Sequence, residues 1–526
     1  MGSRQSCCSA SGKAEVEVVS AQPSVQDTQA EEGVDEEAPN AAVSHVGSSM
    51  SLRRARMESK SQLVVDKDVL RGIRLSRTLR RLGALWLTSP ADLKESARGL
   101  LWEQSQPVES LDRFLSHTWW TSGRLKLLAL LLQNGWPFML LCYVLAAAAA
   151  ASLVLLGVLP LPFQRFVTVG DIDVQVNWAP WTLLFTAAAT VLGLFASPYV
   201  PWRVDPVCFL DVVSIHQVDL DLQKRGVYGL GGFLAASKEM HILWSAPYLS
   251  RLWCVYELAA FRKANPSGRI VVRPLFVELQ ALCYMLGAVF CATITFAWLS
   301  TGLLYSAAYI VVYVVASSPF LFISHRNRLY MREKDTLISD LQHFSLSNVQ
   351  SRLEKDREFI YKSINDWYGS EEAFTEHVRG PLKKELLAST ADLPVQYSFL
   401  MVLPFFSVSL DALLGCSMAG VSVVDLLPRF FANDIGWAVL WFLLGTKLTW
   451  RLTEIFSAQR SCRAMDYATT CFIYFAGYVC WSFVGGEVVV LVWAGLWPSV
   501  AWAAFLIVMI YLQYRSGLCD GVSCRM

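Results

Sequence analysis

The sequence predicts a multi-pass α-helical membrane protein of about eight spans that carries a cytosolic α/β domain. Hydrophobic residues make up 54% of the 526 residues and charged residues 17%, against roughly 25% charged in a typical soluble protein. With a mean hydropathy of +0.38, too little charge remains to cover a water-soluble particle of this length, so part of the surface must face lipid. The composition excludes a wholly soluble enzyme, a disordered protein and a fibrous repeat.

Eight segments reach the roughly 20 mostly apolar residues that a transmembrane helix needs. They are 137–160, 179–200, 279–299, 303–323, 397–419, 435–451, 467–485 and 488–514. Lys and Arg concentrate in the stretches on one side of these segments, and the connections on the other side hold few cations. Because basic loops stay in the cytosol, we expect both termini to be cytosolic. The sequence does not indicate which cellular membrane holds the chain.

The predicted organisation follows from these spans and from shifts in composition. It is a disordered tail (1–60), a basic amphipathic membrane-surface segment (61–106), the first part of a soluble domain (107–135), a transmembrane hairpin (136–202), the second part of that domain (203–278), a transmembrane pair (279–324), a cytosolic helical segment (325–395), four transmembrane helices (396–515) and a cytosolic tail (516–526). For the basic segment 61–106, a solvated linker remains an alternative to a membrane-surface helix.

The amino terminus fits a lipidation pattern. Gly2 followed by Ser6 matches the requirement for myristoylation, and Cys7 and Cys8 are candidate palmitoylation sites beside it. Two or three acyl chains would anchor the tail stably, whereas one would not. The pattern is short, so a chance match stays open. The bilayer is therefore the first partner that the sequence predicts.

Composition also bears on cofactors and other partners. The net charge is +1, so there is no overall field to attract nucleic acid. The 13 Cys are scattered without a CxxC pair, which favours neither a disulfide framework nor a zinc module. His117 and His216 end adjacent predicted strands, but hydrogen-bonded turn residues are the commoner explanation of such a pair, and we predict no metal and no resident cofactor.

The two soluble stretches 107–135 and 203–278 together have the pattern of one α/β domain. Residues 113–116, 207–215, 240–244 and 269–276 read as strands, and 123–133 and 251–264 read as helices. Neither stretch alone has enough strands for a sheet, so we expect them to join across the transmembrane hairpin. Alternation of strand and helix predicts a parallel sheet with helices on both faces. Residues 224–232, rich in Gly, are predicted to form a loop.

Two motifs in this domain resemble the Toll/interleukin-1 receptor (TIR) domain family. Phe114-Leu115-Ser116-His117 is similar to the family's first strand motif. Residues 241–258, HILWSAPYLSRLWCVYEL, resemble the pattern in which a strand ending in Ser leads through Tyr into a helix that opens with Trp-Cys-x-x-Glu-Leu. The resemblance covers about 100 of the 526 residues, and the whole arrangement is similar to multi-pass TIR-like proteins of unicellular algae. Two spans interrupt the domain, and a fifth strand and final helix are not evident, which departs from the family pattern.

The resemblance implies a flavodoxin-like sheet, in which ligands bind at the carboxyl ends of the strands where the strand order reverses. The candidate substrate-binding residues at that edge are Ser116, His117, Trp119, Trp244, Ser245 and Trp253. In addition, Lys224 and Arg225 of the Gly-rich stretch are candidate phosphate contacts.

Glu257 occupies the position of the catalytic Glu of enzymatic TIR domains. Cleavage of a nicotinamide–ribose bond passes through an oxocarbenium-like ion, which a carboxylate stabilises while a Trp such as Trp253 stacks on a ring. The resemblance thus implies NAD as a substrate. The structural alternative is that Glu257 is a solvated or ion-paired helix residue and the domain is a scaffold.

Asp411 lies in the middle of the predicted span 397–419. An acid within a membrane is by default a candidate for a transport path, although it can also face a neighbouring helix. Three functions therefore stay open: a TIR-like signalling protein that associates with itself and cleaves NAD, a transporter or channel with a regulatory TIR-like domain, and a scaffold without enzymatic activity.

Overall fold

The computed structural model describes residues 63–169, 172–201, 204–301, 308–351, 353–389, 393–492 and 495–523. The predicted tail 1–60, with the candidate lipidation sites Gly2, Cys7 and Cys8, lies outside these residues, as do the last three residues of the chain.

A six-stranded sheet forms the centre of the soluble part. Its strands are β1 (Arg71–Arg74), β2 (Gln106–Pro107), β3 (Leu111–His117), β6 (Val207–Phe209), β7 (Ser237–Trp244) and β8 (Arg269–Pro274), and β4 (Phe163–Val169) and β5 (Ile172–Trp178) form a separate hairpin. The order across the sheet is β2-β1-β6-β3-β7-β8. β6, β3, β7 and β8 are parallel, while β1 is antiparallel to both β6 and β2. The parallel part therefore has the order 2-1-3-4 of flavodoxin-like sheets.

Helices account for most of the remaining described chain. The α-helices are Leu75–Leu87, Glu95–Trp102, Gly123–Leu155, Trp181–Ala196, Asp211–Ser214, Leu220–Tyr228, Leu230–Ala235, Leu252–Ala264, Leu275–Leu299, Ala308–Gln342, Glu354–Tyr368, Glu371–His377, Lys383–Ser389, Val395–Met418, Val423–Arg429, Phe442–Ile455, Arg463–Tyr474, Trp481–Val492 and Leu496–Ser523. Short π-helical stretches (Val378–Leu382, Phe430–Trp441 and Phe475–Cys480) join some of these helices end to end.

The sheet interleaves the two soluble stretches, as predicted. β3 comes from the first stretch and lies between β6 and β7 of the second. Phe114 of β3 stacks on Phe209 of β6 with ring centroids 4.4 Å apart, and both side chains are buried. Because the central strand is separated in sequence from its neighbours by the predicted transmembrane hairpin, the domain is complete only when both stretches are present.

Helices of the α/β domain continue directly into the predicted spans. The predicted helix 123–133 and the first predicted span form one helix, Gly123–Leu155, in which Pro137 is accommodated. At the other edge of the sheet, the helix Leu275–Leu299 begins immediately after β8. Glu278 in its first turn accepts hydrogen bonds from Gln133 Nε2 at 2.9 Å and from the Tyr397 hydroxyl at 3.3 Å. One buried carboxyl group thus joins three long helices, two of which begin beside the sheet.

Six described helices are long and apolar enough to cross a membrane: Gly123–Leu155, Trp181–Tyr199, Leu275–Leu299, Val395–Met418, Arg463–Gly486 and Leu496–Gln513. They correspond to six of the eight predicted segments. The predicted span 303–323 falls partly on residues that are not described and partly in the helix Ala308–Gln342. The predicted span 435–451 lies in a helical run that changes from π-helix to α-helix at Phe442.

The basic segment 61–106 is built into the α/β domain. It supplies β1, β2 and the helix Leu75–Leu87, whose apolar residues Leu75, Leu79 and Trp86 are buried in the main hydrophobic core. The prediction that the apolar face of this helix lies on lipid is therefore wrong, because that face is buried against the α/β domain.

The Gly-rich stretch is helical, which corrects the prediction of a loop. It lies within Leu220–Tyr228 and Leu230–Ala235. A Cβ at Gly232 would come within 2.3 Å of Val65 N, and a Cβ at Gly226 within 3.0 Å of Ile215 Cγ2. These two glycines thus allow close packing between chain segments, a role that the Gly count by itself does not distinguish from flexibility.

The described residues of the segment 325–395 are largely helical. Glu354–Tyr368 ends at Gly369, whose φ of +89° is the left-handed conformation common after a helix. The Ser370 hydroxyl accepts a hydrogen bond from Ala373 N at 3.1 Å and caps the next helix.

Candidate functional site

A cleft of about 140 Å³ opens at the carboxyl ends of the parallel strands. Its walls come from the residues after β3, from Asp211 after β6, and from the start of the helix Leu252–Ala264 after β7. Of the predicted site residues, it is lined by His117, Trp119, Lys224, Trp253 and Glu257. Ligands of doubly wound sheets bind at this edge.

Glu257 lines the cleft, and its carboxyl group bonds to one hydroxyl group that is itself bonded to a second. Ser116 Oγ donates a hydrogen bond to Glu257 Oε2, and the Tyr248 hydroxyl lies 2.5 Å from Ser116 Oγ. Ser116 and Tyr248 are both buried. The three groups form a hydrogen-bonded row that fixes the position of the carboxyl group.

Burial raises the pKa of Glu257 to about 8, since the carboxyl group is packed away from water. The hydrogen bond from Ser116 opposes this rise, and the negative charge of Asp211 adds to it. Burial also raises the pKa of Tyr248 well above its usual value, so its phenol stays neutral. A carboxyl group with such a pKa is protonated in most free molecules at neutral pH and ionises readily when a cation enters the cleft.

Asp211 organises the opposite wall. Its Oδ2 accepts a hydrogen bond from Trp119 Nε1 at 2.8 Å, and its Oδ1 lies 4.0 Å from His117 Nε2. Lys126 Nζ lies 5.0 Å from the centroid of the Trp119 ring. The carboxylate and the buried ammonium group together hold the indole of Trp119 along the cleft.

His117 is neutral at physiological pH. Burial and the positive charge of Lys126 lower its pKa to about 4, and Asp211 and the backbone carbonyl of Leu115 only partly offset them. Its ring packs edge-on against Trp86 and Trp119. His117 therefore shapes the wall rather than supplying charge.

His216 is separate from this arrangement. Its Nδ1 accepts hydrogen bonds from the backbone N–H groups of Val218 at 3.2 Å and Asp219 at 2.8 Å, and its ring packs against Trp102. Within the described ranges, no group of three or more His, Cys, Asp or Glu side chains is placed to hold a metal ion.

Some predicted residues lie beside the cleft without lining it. Trp244 is buried in the main hydrophobic core. The Ser245 hydroxyl forms a hydrogen bond with that of Thr121. Arg225 contacts two carboxylates, with Nη2 2.9 Å from Asp66 Oδ2 and 2.6 Å from Asp68 Oδ1. Its guanidinium thus anchors the chain that enters β1, whereas Lys224 remains on the cleft wall.

Several residues of the cleft were not among the predicted site residues. Arg251 lies over the Trp120 ring, with Cζ 4.3 Å from the ring centroid, and Asp356 accepts a hydrogen bond from Trp253 Nε1 at 3.0 Å. Arg251 belongs to the resembling motif and was within reach of sequence reasoning. No local pattern marks Asp356, because it comes from a segment about 100 residues further along the chain.

Asp411, the candidate intramembrane residue, caps the end of a neighbouring helix. Its Oδ1 accepts a hydrogen bond from Thr182 N at 2.7 Å and its Oδ2 from Leu183 N at 3.2 Å. These are N–H groups of the first turn of Trp181–Ala196, which lack partners within their own helix. The contact gives this acid a structural explanation.

Comparisons with protein-family models, with curated proteins and with solved structures find no match to this chain.

Proposed function

We propose that this chain is a membrane-anchored TIR-like signalling protein whose cytosolic cleft cleaves the bond between nicotinamide and ribose in NAD. The observation that carries the proposal is the row of Tyr248, Ser116 and Glu257. It ends at a half-buried acid inside a cleft at the carboxyl edge of a 2-1-3-4 parallel sheet. Trp119 and Trp253 line the same cleft with flat aromatic surfaces, which suit the stacking of a nucleotide ring.

The proposed reaction needs one carboxylate and one water molecule. The bond from ribose C1′ to the nicotinamide nitrogen breaks, and its electron pair neutralises the positive charge of the pyridinium ring. The ribose carries the resulting oxocarbenium charge, which Glu257 as a carboxylate stabilises. Water adds to C1′ and loses a proton, so the products are nicotinamide, ADP-ribose and one proton.

The raised pKa of Glu257 fits this substrate. The carboxyl group is costly to ionise in the free cleft because it is shielded from water. The positively charged pyridinium ring of NAD lowers that cost when it binds, since an opposite charge nearby favours the ionised acid. The free protein should therefore show a kcat/KM that increases with pH and levels off above about 8.

The membrane arrangement belongs to the same proposal. Eight spans with both termini in the cytosol place the α/β domain on the cytosolic face, where NAD is present, and acylation of Gly2, Cys7 and Cys8 adds an anchor at the same face. Copies of the chain associate through the cytosolic domain. The contacts of Asp411 with Thr182 and Leu183 leave the transporter alternative without the residue that suggested it.

The test is nicotinamide release by the full chain reconstituted in lipid nanodiscs with NAD. Glu257→Gln keeps the shape of the side chain and removes the negative charge, so turnover should fall by about a hundredfold to a thousandfold. Glu103→Gln, at an exposed site outside the cleft, is the matched control and should match the wild type. Equal turnover in Glu257→Gln would refute the enzymatic role. A wild type that associates with itself but releases no nicotinamide would favour the scaffold.

A further inference from the structure

One wall of the cleft comes from outside the α/β domain. Leu353 and Asp356 line it: Leu353 immediately precedes the helix Glu354–Tyr368, and Asp356 lies in the first turn of that helix. This part of the chain follows β8 only after two further long helices. The cleft is therefore composite: the sheet supplies its floor, and the described residues 349–351 and 353–359, here called the covering segment, supply one side.

Backbone hydrogen bonds attach the covering segment to the start of the helix that carries Glu257. Gln350 N donates to Ser250 O at 2.9 Å, and Leu252 N donates to Gln350 O at 3.1 Å. These two bonds flank Arg251, which pairs with Gln350 as an isolated parallel bridge. The pairing fixes the backbone at the point where the helix begins.

A side-chain contact continues this attachment into the cleft. Trp253 Nε1 donates a hydrogen bond to Asp356 Oδ2 at 3.0 Å. Phe359, one turn further along, packs near the rings of Trp253, Tyr256 and Tyr228, with centroid separations of 6.3, 5.7 and 4.9 Å. The indole of Trp253 is thus held at its nitrogen by a carboxyl group and beside its ring by an aromatic side chain.

We propose that Asp356 is a positioning residue of the cleft, which orients the indole of Trp253 so that the ring stacks on the pyridinium ring of the bound nucleotide. This inference rests on the proposed function, because it names a second determinant of the same site. Asp356 acts on the bound ring through Trp253, and Glu257 remains the group that contacts the reacting ribose.

The expected effect is on binding more than on the chemical step. Stacking holds the ring in both the ground state and the transition state, and an interaction made equally in both states changes KM without changing kcat. Loss of the hydrogen bond releases the indole and leaves its N–H without an acceptor in a half-buried place. KM for NAD should therefore increase about fivefold to tenfold.

A purely structural role predicts something different. Asp356 lies in the first turn of the helix Glu354–Tyr368, where any acid stabilises the helix end. Glu354 lies in that same turn, is exposed and does not line the cleft. Glu354→Ala therefore controls for the loss of a first-turn acid without touching Trp253.

The experiment measures kcat and KM for NAD with the full chain in nanodiscs, comparing wild type, Asp356→Ala, Asp356→Asn, Glu354→Ala, Trp253→Phe and the double variant Trp253→Phe/Asp356→Ala. We expect KM to increase about fivefold to tenfold in Asp356→Ala with kcat within about twofold, and to stay near the wild-type value in Asp356→Asn, which keeps an acceptor oxygen. Since Phe has no N–H to donate, Asp356→Ala should add little to the KM of Trp253→Phe.

Two results would overturn the inference while the proposed function stands: a KM of Asp356→Ala equal to that of Glu354→Ala, or full and independent effects of Trp253→Phe and Asp356→Ala in the double variant. A wild type that neither binds nor cleaves NAD would overturn the proposed function and this inference together. Size-exclusion profiles of each variant in detergent report whether a kinetic change accompanies unfolding.

Discussion

The substitution Glu257→Gln should stabilise the protein as well as inactivate it. Glu257 has a pKa of about 8 in the folded protein, against 4.5 for an unperturbed Glu side chain. Between these two values the folded state keeps a proton that the unfolded state has released. The free energy of unfolding of the wild type therefore falls as pH rises from about 4.5 to about 8, and it is unaffected by this group outside that range.

The magnitude follows from the separation of the two pKa values. Each pH unit in that window lowers the free energy of unfolding of the wild type by about 1.4 kcal/mol. Relative to its value below pH 4.5, this free energy is lower by about 3 kcal/mol at pH 7 and by about 5 kcal/mol at pH 8 and above. Glutamine stays neutral throughout and can accept the hydrogen bond from Ser116. The variant should consequently exceed the wild type in free energy of unfolding by these amounts.

The assay is the apparent unfolding midpoint of the full chain in detergent, followed by tryptophan fluorescence from pH 5 to pH 9. The midpoint of Glu257→Gln minus that of the wild type should be small at pH 5, grow up to pH 8 and then stay constant. The exposed Glu103→Gln serves as the matched control and should show no such growth. A difference that is independent of pH between 5 and 8 would refute the assignment of Glu257 as a half-buried acid that is protonated at neutral pH.

Three further predictions concern packing and topology. Asp411→Leu should lower the free energy of unfolding in detergent by about 1–3 kcal/mol, because the first turn of Trp181–Ala196 loses two hydrogen-bond acceptors. Asp411→Asn keeps one acceptor and should cost less. Equal unfolding midpoints for the two variants would contradict the capping role. Gly232→Ala should cost about 1–3 kcal/mol because its Cβ would meet Val65 N at 2.3 Å, and a midpoint at or above that of the wild type would argue against this packing. Tags at the carboxyl terminus and within 205–277 should be inaccessible from outside intact cells, and labelling of either from outside would reverse the proposed topology.

Local patterns of the sequence determined the class of protein and many of its elements. Six of the apolar segments correspond to long apolar helices, and Gly369 and Ser370 mark the end of one helix and the start of the next. The strand before Trp244 and the helix that carries Glu257 lie close to their predicted positions. These features depend on hydropathy, periodicity and capping within a few turns of chain, which a single sequence displays directly.

Contacts between distant segments decided what those elements do. Asp356 meets Trp253 across 103 residues, and Arg225 meets Asp66 across 159 residues. Likewise Asp411 caps a helix 229 residues earlier in the chain. No local pattern specifies which distant segment an acidic residue or a glycine will contact, because that contact depends on how the sheet and the long helices pack. The Gly-rich stretch illustrates this, since its composition is typical of a loop although the stretch is helical. Its glycines are explained by close packing against Ile215 and Val65, which leaves no room for a side chain.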